Sequence, residues 1–238
     1  MQVTTEVKSV CNVQSQGQRS GDVFSKLTPE ANQELNSIMH PATYPAGTVL
    51  FSEMDEPQRV FVVLDGEVKL SINSSDGKRL ILRIARKGEI VGLASALSGK
   101  AYDMTAETLY PSKLAPIGRR AFLNVLMHHP EVYQMLTEEM SRQFAMACDQ
   151  LRTVVLSTSA PEKVARLLLE WGQNGQTSEA GTRFRFSLTH GEIGEFIGAS
   201  RETVTRTLSA FKSRRLVMFN GSTLTIPNIP ALERYARG

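Results

Sequence analysis

The sequence predicts an α+β fold in which an antiparallel, jelly-roll-like β-roll is followed by a long helix and a C-terminal winged helix-turn-helix. Three observations lead to this prediction. Residues 42–117 form short apolar runs between glycine turns, residues 131–157 contain neither Gly nor Pro, and helix-capping signals lie on either side of Gly198. We accordingly divide the 238 residues into a mobile tail (1–21), a β-roll (22–118), a helix pair (119–158) and a winged-helix domain (159–238).

The β-roll prediction depends on the spacing of turns. Gly and Asp-Gly signals recur at intervals of about 8 to 12 residues, which is typical of antiparallel sandwiches and barrels. Between them, Val60–Leu64, Val68–Ile72 and Leu80–Ile84 are apolar or alternating, as buried and half-buried strands are. A fourth alternating segment, Arg183–Ser187, predicts a short strand in the C-terminal domain.

The long helix predicted over residues 131–157 would span about 40 Å at 1.5 Å per residue. Its apolar side chains recur at alternating steps of four and three residues, which is the spacing of a two-helix seam. An ordinary helix packed on its own β-domain would also carry an apolar face, but this stripe continues to both ends. We therefore predict a homodimer whose seam contains Met140, Phe144, Ala147, Leu151 and Val154.

Capping signals define two short helices in the C-terminal domain. Thr189 and Glu192 form a capping box that begins the first helix, Gly198 ends it, and Ser200 begins the second. An Asn-Gly pair at 220–221 between strand-like runs then predicts a β-hairpin wing. Two helices joined through a glycine turn and followed by a wing are typical of a winged helix-turn-helix.

The outer face of the second helix carries side chains that suit DNA bases. With Val204 and Leu208 facing the core, Arg201, Glu202 and Arg206 point outward with Thr205. A guanidinium matches guanine O6 and N7, and a carboxylate accepts from cytosine N4. A carboxylate among phosphates weakens nonspecific binding, so it indicates base reading, although an ion pair with Arg206 on a solvated face would explain it too.

The charge distribution agrees with a polyanionic partner for this domain. Residues 1–156 carry 16 Lys and Arg against 17 Asp and Glu, whereas residues 157–238 carry 11 against 7. Within residues 199–216 there are five basic residues and one acidic residue. The local excess favours nucleic acid, although a charge run alone usually marks a solvated helix face.

The remaining composition excludes several classes of protein. With 41% apolar and 21% charged residues, the chain is neither disordered nor fibrous. Its longest apolar run has five residues, far fewer than the roughly 18 needed to span a bilayer, and no secretory signal is present. Two cysteines, Cys11 and Cys148, are too few for a disulfide framework. We therefore expect a cytoplasmic protein with free thiols.

The segment GEIGEFIGASRETVTRTLSAFKSRRLV resembles the DNA-binding domain of the catabolite activator (cyclic-AMP receptor) and fumarate-nitrate regulator superfamily, and FVVLDGEVKL and KGEIVGL resemble its β-roll motifs. The likeness extends over about residues 24–236. It implies a homodimeric bacterial transcription regulator that contacts RNA polymerase, with Arg201, Glu202 and Arg206 reading a TGTGA-like half-site. It further implies that four residues lie near phosphates: Thr189, His190, Ser200 and Thr203.

The sequence departs from this family at the residues that sense cyclic nucleotides. The family's readers of cyclic nucleotides carry a glutamate for the ribose where this chain has Leu93 after Gly92, and an arginine for the phosphate where it has Met104 before Thr105. Both charged anchors are missing, and Asp103 would repel an anion. The sequence therefore disfavours cyclic AMP, and the candidate pocket for another effector comprises Gly92, Leu93, Met104, Thr105 and Cys148.

Other cofactors find little support in the sequence. The oxygen-sensing branch of the family needs an N-terminal cysteine cluster, and Cys11 stands alone there. Haem would need one of four histidines, His40, His128, His129 or His190, which lie at helix ends or the helix cap. Cys148 fits a buried structural thiol better than a redox site. Another small effector and constitutive DNA binding are both compatible with these residues.

Two competing functions have less support than DNA-binding regulation. A ligand-responsive module that regulates a protein partner through a degenerate DNA-binding domain would show weak salt dependence of DNA binding. An enzyme related to cupins would need metal ligands in its barrel, but residues 42–117 contain neither His nor Cys. No catalytic triad, paired carboxylates or phosphate loop is evident, so we predict that the protein is not an enzyme.

Overall fold

The structure is a computed structural model that describes residues 27–156, 159–173 and 175–236. The predicted tail (1–21) and Cys11 lie outside the described residues. Two compact units are present: residues 27–72 with 84–145, and residues 73–83 with 146–236. The first contains most of the β-roll strands, and the second contains the C-terminal helices and wing. The predicted α+β architecture is confirmed.

The order of elements follows the prediction closely. The helices are α1 (Pro29–Ile38), α2 (Leu93–Ser98), α3 (Arg119–His128), α4 (Glu131–Leu156), α5 (Ala160–Gly172), α6 (His190–Ile197), α7 (Arg201–Ser213) and α8 (Ile229–Ala236). The strands are β1 (Ala42–Tyr44), β2 (Val49–Phe51), β3 (Arg59–Asp65), β4 (Glu67–Asn73), β5 (Arg79–Arg86), β6 (Ile90–Val91), β7 (Thr105–Thr108), β8 (Ser112–Gly118), β9 (Gln176–Ser178), β10 (Gly181–Arg185), β11 (Met218–Asn220) and β12 (Thr223–Ile226). They form sheets in the orders β1-β8-β3-β6, β2-β7-β4-β5 and β11-β12-β10-β9.

Strand β3 shows why the first unit needs continuous apolar runs. Its residues Val60 and Val62 belong to a core cluster with Leu35, Phe122 and Leu136 of the surrounding helices. Phe61 and Val63 point the other way, into a cluster between the sheets. Because successive side chains of a strand point to opposite faces, a strand covered on both faces is apolar at every position.

The beginnings of α1 and α4 meet at a cluster of histidines and carboxylates. Thr28 caps α1 by accepting a hydrogen bond from the Ala31 amide at 3.3 Å, and its hydroxyl donates to Glu131 Oε1 at 3.2 Å. Glu34 accepts from both imidazoles at the end of α3, with His128 Nδ1 at 2.8 Å and His129 Nε2 at 2.9 Å. The hydrogen bond to His128, followed by that to His129, lowers the pKa of the Glu34 carboxyl.

We expect this cluster to make stability depend on pH in the acidic range. Because the pKa of Glu34 is lowered in the folded state, its contribution is fully present above the ordinary value of 4.5 and is lost as the pH falls through the folded pKa. Thermal unfolding followed by circular dichroism should show a lower Tm for Glu34→Gln than for the wild type at pH 6. The difference should shrink below about pH 4, and a Tm difference that does not change with pH would contradict this linkage; Glu30→Gln on the same helix controls for loss of charge.

Helix α4 carries the stripe that the sequence placed on one face. It is observed over residues 131–156, and residue 157 of the predicted span lies outside the described residues. Within the chain Phe144 is 73% exposed, Leu151 51% and Met140 36%, while Ala147 and Val154 are half-buried. Large apolar side chains therefore line a face of the helix that the chain itself leaves open.

The second unit differs from the sequence prediction in two places. Strand β10 covers residues 181–185 instead of 183–187, because Thr182 pairs with Ile226 and Phe186 has left the ladder, its amide donating to the Ser222 carbonyl at 2.8 Å. The wing turn is Gly221-Ser222, one residue later than predicted, because Asn220 still pairs with Thr223. Three short elements that the sequence did not indicate are α2, β9 and α8.

Within residues 27–156, 159–173 and 175–236, no helix combines the length and the apolarity that a bilayer crossing requires.

Candidate DNA interface

Helix α6 begins with the predicted capping box. The Thr189 hydroxyl accepts from the Glu192 amide at 3.2 Å, and Glu192 Oε2 accepts from the Thr189 amide at 2.9 Å. These two bonds satisfy backbone donors that the first turn of a helix leaves unpaired. The start of α6 is therefore determined locally, by four residues of sequence.

The turn between α6 and α7 is tight because two glycines permit it. Gly198 ends α6 with φ of 66°, in the left-handed region that favours glycine. A Cβ at Gly194 would lie 2.5 Å from the Ala199 carbonyl oxygen, so the chain can return this closely only over a residue without a side chain. The Ala199 amide donates back to the Gly194 carbonyl at 2.9 Å and closes the turn.

Helix α7 presents its polar face outward. Ser200 caps it by accepting from the Thr203 amide at 3.2 Å. Val204, Leu208 and Phe211 are at most 3% exposed and anchor the inner face. The residues predicted to read bases are all exposed on the first two turns: Arg201, Glu202 and Arg206, together with Thr205.

The Glu202 carboxylate is charged at neutral pH. Its own backbone amide, then the Ser200 hydroxyl, donate hydrogen bonds that lower its pKa, and the charges of Arg201 and Arg206 act in the same direction. The start of a helix also favours negative charge there. The exposed face thus presents one carboxylate between two guanidiniums, which offers both acceptors and paired donors to base edges.

The four residues that the family resemblance places near phosphates lie at the two helix starts. Thr189, His190 and Ser200 are exposed, and Thr203 is half-buried. His190 Nδ1 lies 2.8 Å from the Thr205 hydroxyl, so the beginning of α6 is tied to the outer face of α7. That contact between the helices is not readable from sequence spacing, because it joins residues fifteen positions apart.

One of the basic residues at the end of α7 contacts another side chain of the chain. Arg214 donates a hydrogen bond from Nη1 to the Tyr235 hydroxyl, and its guanidinium lies 5.8 Å from the centre of that ring. Arg215 adopts φ of 55° where the chain leaves the helix. Of the five cations between residues 199 and 216, Arg214 therefore has a packing role on α8, which the sequence count did not distinguish.

The residues proposed for an effector pocket lie in both units. Gly92, with φ of 83°, begins α2, and a Cβ there would lie 3.1 Å from the Tyr102 ring. Leu93 is 1% exposed in the core cluster beneath the helices, whereas Met104 packs against the cluster between the sheets. Thr105 is buried and its hydroxyl accepts from the Glu53 amide at 3.0 Å. The apolar side chains at 93 and 104 are thus used in packing.

Three of the four candidate haem histidines contact other side chains. Cys148 is a free thiol on α4, half-buried, in the second unit. His128 and His129 bind Glu34, and His190 contacts Thr205. Among the described residues, no group of three or more His, Cys, Asp or Glu side chains is arranged to hold a metal ion.

Two family descriptions match the chain in the order of its units. Residues 41–129 match the cyclic nucleotide-binding domain, and residues 162–235 match the Crp-like helix-turn-helix domain. The second match contains α6, α7 and the wing, and therefore covers the interface described above.

Relatives and solved structures with the same organisation are known. The CRP-like cAMP-activated global transcriptional regulator of Mycobacterium tuberculosis is 27% identical over 216 residues, covering 90% of this chain and 96% of that protein. The transcriptional activatory protein AadR of Rhodopseudomonas palustris is 26% identical over 198 residues, covering 82% of this chain and 81% of that protein. FixK2 from Bradyrhizobium japonicum shares the fold, with a TM-score of 0.74 at 22% identity over 83% of this chain and 97% of that chain.

These relatives are named as transcriptional regulators and not as enzymes. The order of domains, the capped helix pair with its wing and the relatives agree with one another. A cyclic nucleotide-binding domain followed by a Crp-like helix-turn-helix makes this chain a transcription regulator with a DNA-binding domain, a member of the catabolite activator and fumarate-nitrate regulator superfamily of bacterial transcription factors.

Proposed function

We propose that the protein is a homodimer that reads a TGTGA-like inverted repeat through Arg201, Glu202 and Arg206. The observation that carries the proposal is the outer face of α7, where an exposed carboxylate lies between exposed guanidiniums. A carboxylate repels the phosphate backbone, so its presence at a DNA-facing surface favours a role in base reading. The half-site offers guanine O6 and N7 to the arginines and cytosine N4 to the glutamate.

The homodimer is supported by the open face of α4. Phe144 and Leu151 are more than half exposed within one chain, although apolar groups of this size contribute about 1.5 to 3 kcal/mol each when they are buried. Their spacing places them on the same seam positions as Met140, Ala147 and Val154. A second copy covers this stripe and brings two recognition helices to successive major grooves, about 34 Å apart.

We propose that the β-roll (22–118) is a sensor domain without the charged anchors for a cyclic nucleotide, joined through the helix pair (119–158) to the DNA-binding domain (159–238). Leu93 and Met104 support this, because each packs within an apolar cluster and neither supplies a charge that could bind a cyclic nucleotide. A bound anion would lack a charge-assisted hydrogen bond that is worth about 1.5 to 3 kcal/mol. RNA polymerase is the proposed partner that converts DNA binding into regulation.

The test is fluorescence anisotropy of the full-length protein with a labelled TGTGA-x6-TCACA duplex and with a scrambled duplex of equal length and composition. We expect the repeat to be bound more tightly, by a factor within the range of about 10³ to 10⁷ that separates specific from nonspecific binding. Equal affinity for both duplexes would defeat the proposal of base reading. Weak binding that hardly changes with salt would instead favour a regulator of a protein partner with a degenerate DNA-binding domain.

A further inference from the structure

The sheet of the DNA-binding unit has one exposed face on which its strands place two arginines. Strands β9, β10, β11 and β12 contain two arginines and no Asp or Glu. In β10 the buried residues are Thr182 and Phe184, while Arg183 and Arg185 are exposed, two positions apart on one face. We call this surface, defined by Arg183, Arg185, Thr223, Thr225 and Asn220, the cationic sheet face.

The register of the strands places these residues side by side. Arg183 lies opposite Thr225, and Arg185 lies opposite Thr223, which in turn lies opposite Asn220 of β11. Directly opposed residues share a face of an antiparallel pair, so the two arginines share this face with the hydroxyls of Thr223 and Thr225 and the amide of Asn220. Gln176, opposite Arg183, and Met218, opposite Thr225, lie on the same face. Arginine, threonine and asparagine are the side chains that hydrogen-bond phosphate oxygens in protein–DNA complexes.

The cationic sheet face lies next to the proposed DNA-contacting elements. The amide that follows Arg185, that of Phe186, donates to the Ser222 carbonyl in the turn of the wing at 2.8 Å. Arg185 and Thr189 are four positions apart in the chain, so their Cα atoms are at most about 14 Å apart. The acidic residue nearest along the chain, Glu179, lies in the turn at the other end of β10.

We propose that the cationic sheet face binds DNA phosphates outside the half-site that α7 reads. The inference rests on the proposed function and extends it. When α7 lies in the major groove and the wing lies beside it, the flanking part of the duplex continues past the adjoining sheet. Duplex DNA carries one negative charge per about 1.7 Å of axis, so two guanidiniums two residues apart on a strand meet more than one phosphate. These contacts carry no sequence information and add affinity for flanking DNA alone.

The experiment measures the salt dependence of binding for the wild type and for the double variant Arg183→Gln/Arg185→Gln, both as full-length protein. One duplex carries the inverted repeat with a helical turn of flanking DNA, roughly 10 base pairs, on each side, and the other is trimmed to the repeat. Each phosphate contact contributes about 0.9 to the slope of log K against log[salt], and the two arginines of each protomer make four contacts per dimer. For the variant, the slope on the flanked duplex should therefore be shallower by about 3.6. Between 50 and 200 mM salt the wild type then loses about 150-fold more affinity than the variant.

Three controls keep this result specific. Lys87→Gln/Lys100→Gln removes two exposed charges from the first unit and should leave the slope unchanged. Arg183→Lys/Arg185→Lys retains the charges and should restore most of the slope. The ratio of affinities for flanked cognate and flanked scrambled duplexes should be the same in the wild type and the Gln variant, and the Tm values should agree.

Several outcomes would overturn the inference while leaving the proposed function intact. Equal slopes for the wild type and the Gln variant on the flanked duplex would show that the sheet face does not contact DNA. The same loss of slope on the trimmed duplex would place both arginines within the half-site. Normal DNA binding with loss of transcription by purified RNA polymerase would assign the face to an acidic protein surface. By contrast, a wild type that does not prefer the repeat at all would refute the proposed function.

Discussion

Replacing Glu202 by alanine should weaken binding to the TGTGA-x6-TCACA duplex and leave unchanged or strengthen binding to a scrambled one. The loss on the repeat should be about 1 to 3 kcal/mol per half-site, because an acceptor for cytosine N4 disappears. On scrambled DNA the carboxylate makes no such contact and only repels phosphates, so its removal reduces repulsion. Arg201→Ala should show the same loss on the repeat, with a small loss elsewhere.

The structure makes these substitutions informative, since neither side chain is part of the core. Arg201 and Glu202 are exposed on α7, whose packing rests on Val204 and Leu208. Lys212→Ala serves as the matched control, because it removes a charge from the last turn of the same helix. It should weaken binding to the repeat and to the scrambled duplex by the same factor. If Glu202→Ala changed the affinities for both duplexes equally, in sign and size, the carboxylate would have no role in base reading.

Replacing Phe144 by glutamate should convert the dimer to monomers at micromolar concentration. The phenyl ring is 73% exposed within one chain and is buried by the second copy in the proposed dimer. In the variant both protomers lose this apolar contact, and two carboxylates face each other across the seam. Loss of the linkage between half-sites should reduce the affinity for the inverted repeat by about 10² to 10⁴-fold. Native mass spectrometry and anisotropy with the repeat measure the two effects.

The control variant shows whether the effect depends on the position of the seam or would follow from a glutamate at any exposed position of α4. Ala145→Glu adds the same charge one residue later, at an exposed position rotated by about 100° from Phe144 and outside the seam. It should remain dimeric, as should Phe144→Leu, which keeps an apolar side chain. A Phe144→Glu protein that remains dimeric and binds the repeat normally would show that α4 does not form the proposed interface.

Local signals in the sequence were sufficient to predict most of the elements. Thr189 and Ser200 each accept a backbone hydrogen bond at the helix start where the sequence placed a cap. Such bonds join residues two or three positions apart, so they depend on residue type and spacing alone. For the same reason the outward direction of Arg201 and Glu202 could be predicted from the buried positions of their own helix.

The features that the sequence analysis missed depend on strand register, on glycines that are compatible with either a turn or a helix end, or on contacts between residues far apart in the chain. The turn of the wing moved from Asn220-Gly221 to Gly221-Ser222 because the ladder with Thr223 continues for one more residue. Helix α2 was missed because Gly92 and Gly99 resemble strand turns, although both adopt left-handed conformations at the ends of one short helix. The role of Arg214 depends on Tyr235, twenty-one residues away.

The sequence alone determined the class of fold, the helix starts and the pair of arginines around a glutamate, because periodicity and capping act over a few residues. Only the tertiary structure decided that Leu93 and Met104 are used in packing, that His190 contacts Thr205, and that Arg183 and Arg185 share one exposed face with residues of the wing. Each of these facts depends on strand register or on helices brought together by the folding of the core. These contacts therefore cannot be predicted from the spacing of residues along the chain.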